Sequence, residues 1–101
     1  APVSVFFNIN KSKIASRKDL QNVKALTEAA KDSKFVVTGY ADSKTGSASY
    51  NQKLSQKRAE TVADELVKMG VSRENIEIVA AGGVNSLTPI SYNRRATVEI
   101  K

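Results

Sequence analysis

The sequence predicts an α/β fold, an α+β sandwich in which two main helices pack on a four-stranded mixed sheet in the order β-α-β-α-β-β. Short runs of β-branched and aromatic residues alternate with two longer stretches of helical period. Clusters of Gly, Ser and Thr separate these runs, with no repeat, low-complexity tract or linker. The 101 residues, 41% hydrophobic and 26% charged, suit a single domain, 1–101, with a real core.

Val3, Val5 and Phe7 alternate with Ser4, Phe6 and Asn8, which predicts a first strand over 3–9. Asn10-Lys11-Ser12-Lys13 breaks the alternation as a loop. Ser16 and Asp19 have the spacing of a capping box, with Asp in place of the usual Glu. The helix they open is expected to reach about Lys31, with Leu20, Val23, Leu26 and Ala30 on one face. Residues 34–40 are β-branched and aromatic and predict a second strand. The Ser-, Gly- and Thr-rich residues 41–49 predict a loop, followed by a long helix over 50–69 that Gly70 ends. A third strand is expected over 75–80, after which Gly82-Gly83 opens an irregular loop through Pro89. Ala96, Val98 and Ile100 alternate with Thr97, Glu99 and Lys101, a last strand with one polar face.

Cysteine and histidine are absent, which excludes disulfides, thiol nucleophiles, zinc-finger ligation and histidine-based acid–base chemistry. A small enzyme would need a carboxylate or lysine as base, and no two acids stand in a suggestive spacing. No catalytic residue, metal ligand or cofactor is therefore predicted. There is no run of about 18 apolar residues to span a membrane. The first residues show neither the basic start nor the apolar core of a signal, so an exported chain would have lost its signal or be an excised domain. The net charge of +6 fits an anionic partner or solubility alone. It keeps open an alternative, a basic α/β nucleic-acid-binding domain. Against this, three Phe and three Tyr are the only aromatics, and no strand carries an exposed aromatic pair on which bases would stack.

One side chain is out of place. With Leu54 set to zero on a helical wheel, Met69, Val62, Leu66 and Ala59 fall between about 60° and 140°. Arg58 falls at about 40° and Asn51 at about 60°, inside the apolar arc. Lys53, Lys57, Glu60, Asp64 and Lys68 take the other side. The helical neighbours of Arg58 are Leu54, Ser55, Thr61 and Val62, so no acid meets it along the helix. It must reach water or an anion supplied by the fold or a ligand. Asp42, where the second strand runs into the loop, is the nearest candidate. The pair reads either as a site holding opposite charges apart for a zwitterion or as a plain Asp42–Arg58 salt bridge tying loop to helix.

At these residues the sequence resembles the peptidoglycan-binding domain at the C-terminus of outer-membrane protein A (OmpA), shared by peptidoglycan-associated lipoproteins and flagellar stator proteins. The likeness covers nearly the whole chain. Val5-Phe6-Phe7-Asn8-Ile9-Asn10-Lys11-Ser12 resembles the family's opening strand and loop. Gly39-Tyr40-Ala41-Asp42 with Gly46 is similar to its Gly-His-Thr-Asp…Gly signature, although Tyr40 and Ala41 replace His and Thr and the loop to Asn51 is about a residue longer than in some relatives. Tyr50-Asn51, Leu54-Ser55 and Arg58-Ala59 match its helix motif; Val71, the loop from Gly82 to Pro89, and Asn93-Arg94-Arg95 also fit.

The resemblance implies non-covalent binding of the diaminopimelate in peptidoglycan stem peptides. Asp42 would accept its ammonium and Arg58 would pair with its carboxylate, with Asn10, Asn51 and Arg94 lining the site. It implies a domain that is not itself membrane-inserted, excised from a longer protein attached to the outer membrane and acting at its periplasmic face, with peptidoglycan and no nucleic acid as partner. The blander roles stay open: Asn51 as a helix cap, Asn10 as a turn residue, Tyr50 and Tyr92 as packing residues. Strand alternation allows only one of Arg94 and Arg95 to face the site, and the resemblance favours Arg94. Truncating either charge is expected to abolish binding while the fold persists.

Overall fold

A computed structural model describes residues 2–101. The order of elements is β1 (Val3–Phe6), α1 (Arg17–Ala29), β2 (Phe35–Asp42), α2 (Ala48–Lys68), β3 (Ile76–Val84) and β4 (Arg95–Ile100). Short 3-10 turns at Arg73–Asn75 and Ile90–Asn93 precede β3 and β4. The sheet runs β1-β4-β2-β3. β4 lies antiparallel between β1 and β2, while β2 and β3 are parallel. This is the mixed sheet and the element order that the sequence predicts.

The buried residues of the strands follow the predicted alternation: Val5 in β1, Phe35 and Val37 in β2, Ala96 and Val98 in β4. They meet Val23 of α1 and Ala59, Val62 and Leu66 of α2 in one core, with Phe7 and Val71. On the other face, the Phe6 ring rests against Tyr92 at 5.6 Å, and the Arg95 guanidinium lies 4.8 Å over Tyr40. Among the described residues no helix is long and apolar enough to cross a membrane.

Both helices start on a serine. The Ser16 hydroxyl accepts from the Asp19 amide, as the capping-box spacing predicts. The Asp19 carboxylate does not complete the box on Ser16 but accepts from the Phe6 amide at 3.1 Å, tying α1 to β1. α2 begins at Ala48, before the expected residue 50, because Ser47 takes the cap and accepts from the Tyr50 amide. At its far end Gly70, at φ +101°, lets Val71 donate back to the Leu66 carbonyl.

Other boundaries differ from expectation as well. β1 ends at Phe6 and α1 at Ala29, where Ala30 leaves helical geometry. More consequentially, Gly82 and Gly83 belong to β3 and not to a loop, for Ala41 pairs with Gly83 and Asp42 with Val84. This pairing carries β2 as far as Asp42, which therefore sits on a strand end. A side chain on Gly83 would come within 3.1 Å of the Asn51 amide nitrogen and of the Ser43 backbone. Gly39 is tighter still: an added Cβ would lie 1.8 Å from the Ser55 carbonyl oxygen. Gly39→Ala is expected to push α2 off β2 and lower stability by about 1–3 kcal/mol, read as an earlier midpoint in urea.

Candidate functional site

The C-terminal end of β2, the start of α2 and the loop after β1 converge on one hollow. Its walls are Asn10 from the loop, Ala41 and Asp42 from β2, Thr45 from the connection, and Tyr50, Asn51, Leu54 and Arg58 from α2. The space within it open to a water molecule is about 10 Å³, and the space out through its open mouth, solvent included, is about 190 Å³. Helical period explains why α2 supplies half of this wall, since Leu54, Arg58 and Asn51 share one arc. The space between the charged groups is narrow, and more of the surface bordering it is apolar than polar.

Arg58 is wholly buried and is the largest side chain so enclosed. It donates through Nε to the Lys11 carbonyl at 2.9 Å, through Nη1 to the Tyr40 carbonyl at 2.8 Å and through Nη2 to the Asn8 carbonyl at 3.2 Å. Its guanidinium carbon lies 5.3 Å from the centre of the Phe7 ring. Burial, and then the charge of Arg94, push its pKa down to about 10, with Asp42 and Tyr50 opposing. It is therefore still cationic at neutral pH. The predicted alternative of a plain Asp42–Arg58 salt bridge is not what the chain forms.

Asp42 pairs instead with Arg94, whose Nη1 donates to Oδ2 at 3.0 Å. The other carboxylate oxygen, Oδ1, is buried and has no hydrogen-bond partner among the described residues. Burial pushes the Asp42 carboxyl up, but Thr45 and Arg94, with the charge of Arg94 and a weaker contribution from the Lys44 amide, bring it below its ordinary value of 3.8. Neither Thr45 nor Lys44 meets the geometry of a hydrogen bond to Oδ1, which stays without a partner among the described residues.

The sign of this shift sets a pH dependence. A carboxyl whose pKa is lower folded than unfolded contributes stability that is complete above about pH 4 and fades as pH falls through the lowered value. Urea unfolding from pH 7 downward is expected to show this part of the acid loss only below about pH 4. Asp42→Asn is expected to lack that component.

All five predicted site residues are in this region, in different capacities. Asn10 turns the chain at φ +60°, and its side chain lies in the wall of the hollow. Asn51 is not the cap. It is buried, and its Nδ2 donates to the Asp42 carbonyl at 3.3 Å, holding the strand end against α2. Arg94 reaches the hollow through Asp42, while Arg95 turns to the opposite face over Tyr40, as alternation requires. Tyr50, read as a packing residue with a wet hydroxyl in preference to a ligand stacker, forms part of the wall, and its hydroxyl bonds the Asn10 side chain across the mouth. Thr45 and Leu54 were not singled out, although Leu54 shares the arc of Arg58 and Thr45 lies in the loop that Asp42 opens.

Asn93 places Arg94. Wholly buried, its side chain accepts from the Leu87 amide and donates to the Leu87 and Ile90 carbonyls. That cross-bracing fixes the segment leading into β4.

The profile of the OmpA family matches residues 6–99. The chain belongs to the OmpA family. This is a family of binding domains, not of enzymes. Outer membrane protein 40 of Porphyromonas gingivalis is 47% identical over 76 residues, which cover 73% of this chain and 20% of that protein. Peptidoglycan-binding protein ArfA of Mycobacterium bovis is 38% identical over 85 residues, 80% of this chain and 26% of that protein. This OmpA-family chain thus spans about a fifth to a quarter of the length of such relatives. The solved peptidoglycan-associated lipoprotein of Burkholderia pseudomallei superposes with a TM-score of 0.82 at 25% identity, covering 97% of this chain and 89% of that one.

Proposed function

We propose that this OmpA-family domain binds peptidoglycan non-covalently through the diaminopimelate of its stem peptide. In this reading it holds the protein it belongs to against the cell wall at the periplasmic face of the outer membrane. The observation that carries the proposal is a pair of opposite charges beside one hollow, each with bonding capacity left over. Three of the five N–H groups of Arg58 are committed to carbonyls, so two remain for a carboxylate. Oδ1 of Asp42 remains for an ammonium. Asn10, Asn51 and Arg94 shape and orient the site, and Tyr50 and Thr45 complete its wall. The names of the relatives support the polymer, and the charge pair supports the residue within it.

Titration with a diaminopimelate-containing stem peptide tests this. Saturable chemical-shift changes are expected at the amides around Asp42 and Arg58, with weaker binding of the lysine counterpart, which lacks the carboxylate. Shifts scattered away from the hollow would reject the site, and no shifts at all would reject the proposal.

A further inference from the structure

One acid and one arginine line the hollow, and a second arginine, Arg94, is bound to the acid from behind. Asp42 is already engaged through Oδ2 by Arg94, while Arg58 is bonded only to neutral carbonyls. Asp42 and Arg58 are the only charged side chains among the residues lining the hollow, and Arg94 enters through Asp42. One positive charge is left over. Arg58 is wholly buried and Asp42 is 3% exposed, so bulk salt screens this imbalance poorly.

We propose that the hollow selects its guest by a free, ionised carboxylate, and that Arg94 is the residue that imposes this selection by neutralising Asp42. The inference rests on the peptidoglycan reading and concerns the charge state of the diamino acid. A centre with both ammonium and carboxylate brings no net charge into the surplus positive hollow. Its carboxylate accepts from the two uncommitted N–H groups of Arg58, and its ammonium donates to the unpartnered Oδ1. Amidation of that carboxylate changes both terms. The guest then carries only its ammonium into a positive hollow, and an amide NH₂ is turned toward guanidinium donors that need acceptors. Were Asp42 unpaired, the hollow would be neutral overall and the ammonium alone would be tolerated.

Arg94 is thus a positioning and specificity residue, acting on the guest through Asp42. The Arg58 pKa, lowered in part by the charge of Arg94, agrees with two cations sharing one acid.

Calorimetric titration of the whole chain with two synthetic stem tripeptides, identical except that the diaminopimelate side-chain carboxylate is free or amidated, tests the proposal. The wild type is expected to bind the free form at least about tenfold more tightly. In Arg94→Gln that ratio is expected to shrink several-fold, chiefly because the amidated peptide gains. A residue with a merely structural role would weaken both peptides together and leave the ratio unchanged, and that result would remove Arg94 from the selection. Equal affinity of the two peptides for the wild type overturns the inference while leaving peptidoglycan binding in place. Failure of both peptides to bind overturns the inference and the peptidoglycan reading together.

Discussion

Arg58→Ala is expected to lower the folding stability of the domain by about 3–5 kcal/mol, the effect of removing one partner from a buried charged network. The reason is what the guanidinium holds. Its three bonds join the carbonyls of Asn8 and Lys11, in the segment after β1, to that of Tyr40 on β2. Alanine leaves three acceptors without donors, each worth about 1–3 kcal/mol if no water replaces the nitrogen. Relief of the desolvated charge offsets part of the loss. Arg58→Lys keeps the charge, but one ammonium cannot reproduce a planar fork aimed at three carbonyls, so an intermediate loss is expected. Urea unfolding followed by circular dichroism measures both, and a midpoint for Arg58→Ala equal to that of wild type would refute this role. Sequence reasoning alone expected Arg58→Ala to leave the fold intact. The carbonyl bonds correct that expectation: loss of binding in this variant would not isolate the site from the scaffold.

The placement of Arg58 was legible because helical period is a local property. Counting along α2 puts Arg58 beside Leu54 and Asn51, and the folded chain encloses Arg58 and Asn51 and nearly encloses Leu54. Its partners were not legible. Asn8 and Lys11 lie more than forty positions away and offer backbone oxygens, which every residue possesses and no side-chain pattern marks. The pairing of Asp42 with Arg94 was hidden for a related reason. It depends on β4 inserting between β1 and β2, and strand order is a tertiary property that alternation does not encode. Gly82 and Gly83 misled in the opposite sense. Glycine usually signals a turn, yet Gly83 is a strand residue that lets Asn51 and Ser43 approach closely. The same tertiary contact that places Asn51 therefore erased the strand signal in β3.

Asp42→Asn is expected to abolish retention on peptidoglycan while costing the fold only the stability that the ionised carboxyl contributes, and so it separates recognition from the scaffold better than Arg58→Ala does. Asparagine has nearly the same shape as aspartate, and its carbonyl oxygen retains an acceptor for Arg94. The Asn51 bond to residue 42 uses the backbone carbonyl and is untouched. What changes is charge: Arg58 in the wall of the hollow and Arg94 behind residue 42 have no acid between them, and a guest ammonium meets a neutral amide. Truncating one partner of a buried, hydrogen-bonded charge pair typically weakens an interface by about 2–5 kcal/mol, or roughly 30- to 4,000-fold in affinity. Purified peptidoglycan should sediment the wild type and leave Asp42→Asn in the supernatant, with circular dichroism unchanged between them. Raising salt should weaken wild-type retention only modestly, because the charges that matter are shielded from the bulk by Ala41, Leu54 and Tyr50. Undiminished sedimentation of a folded Asp42→Asn would mean that the carboxylate serves Arg94 alone, and that the surplus charge of Arg58 finds its anion without it.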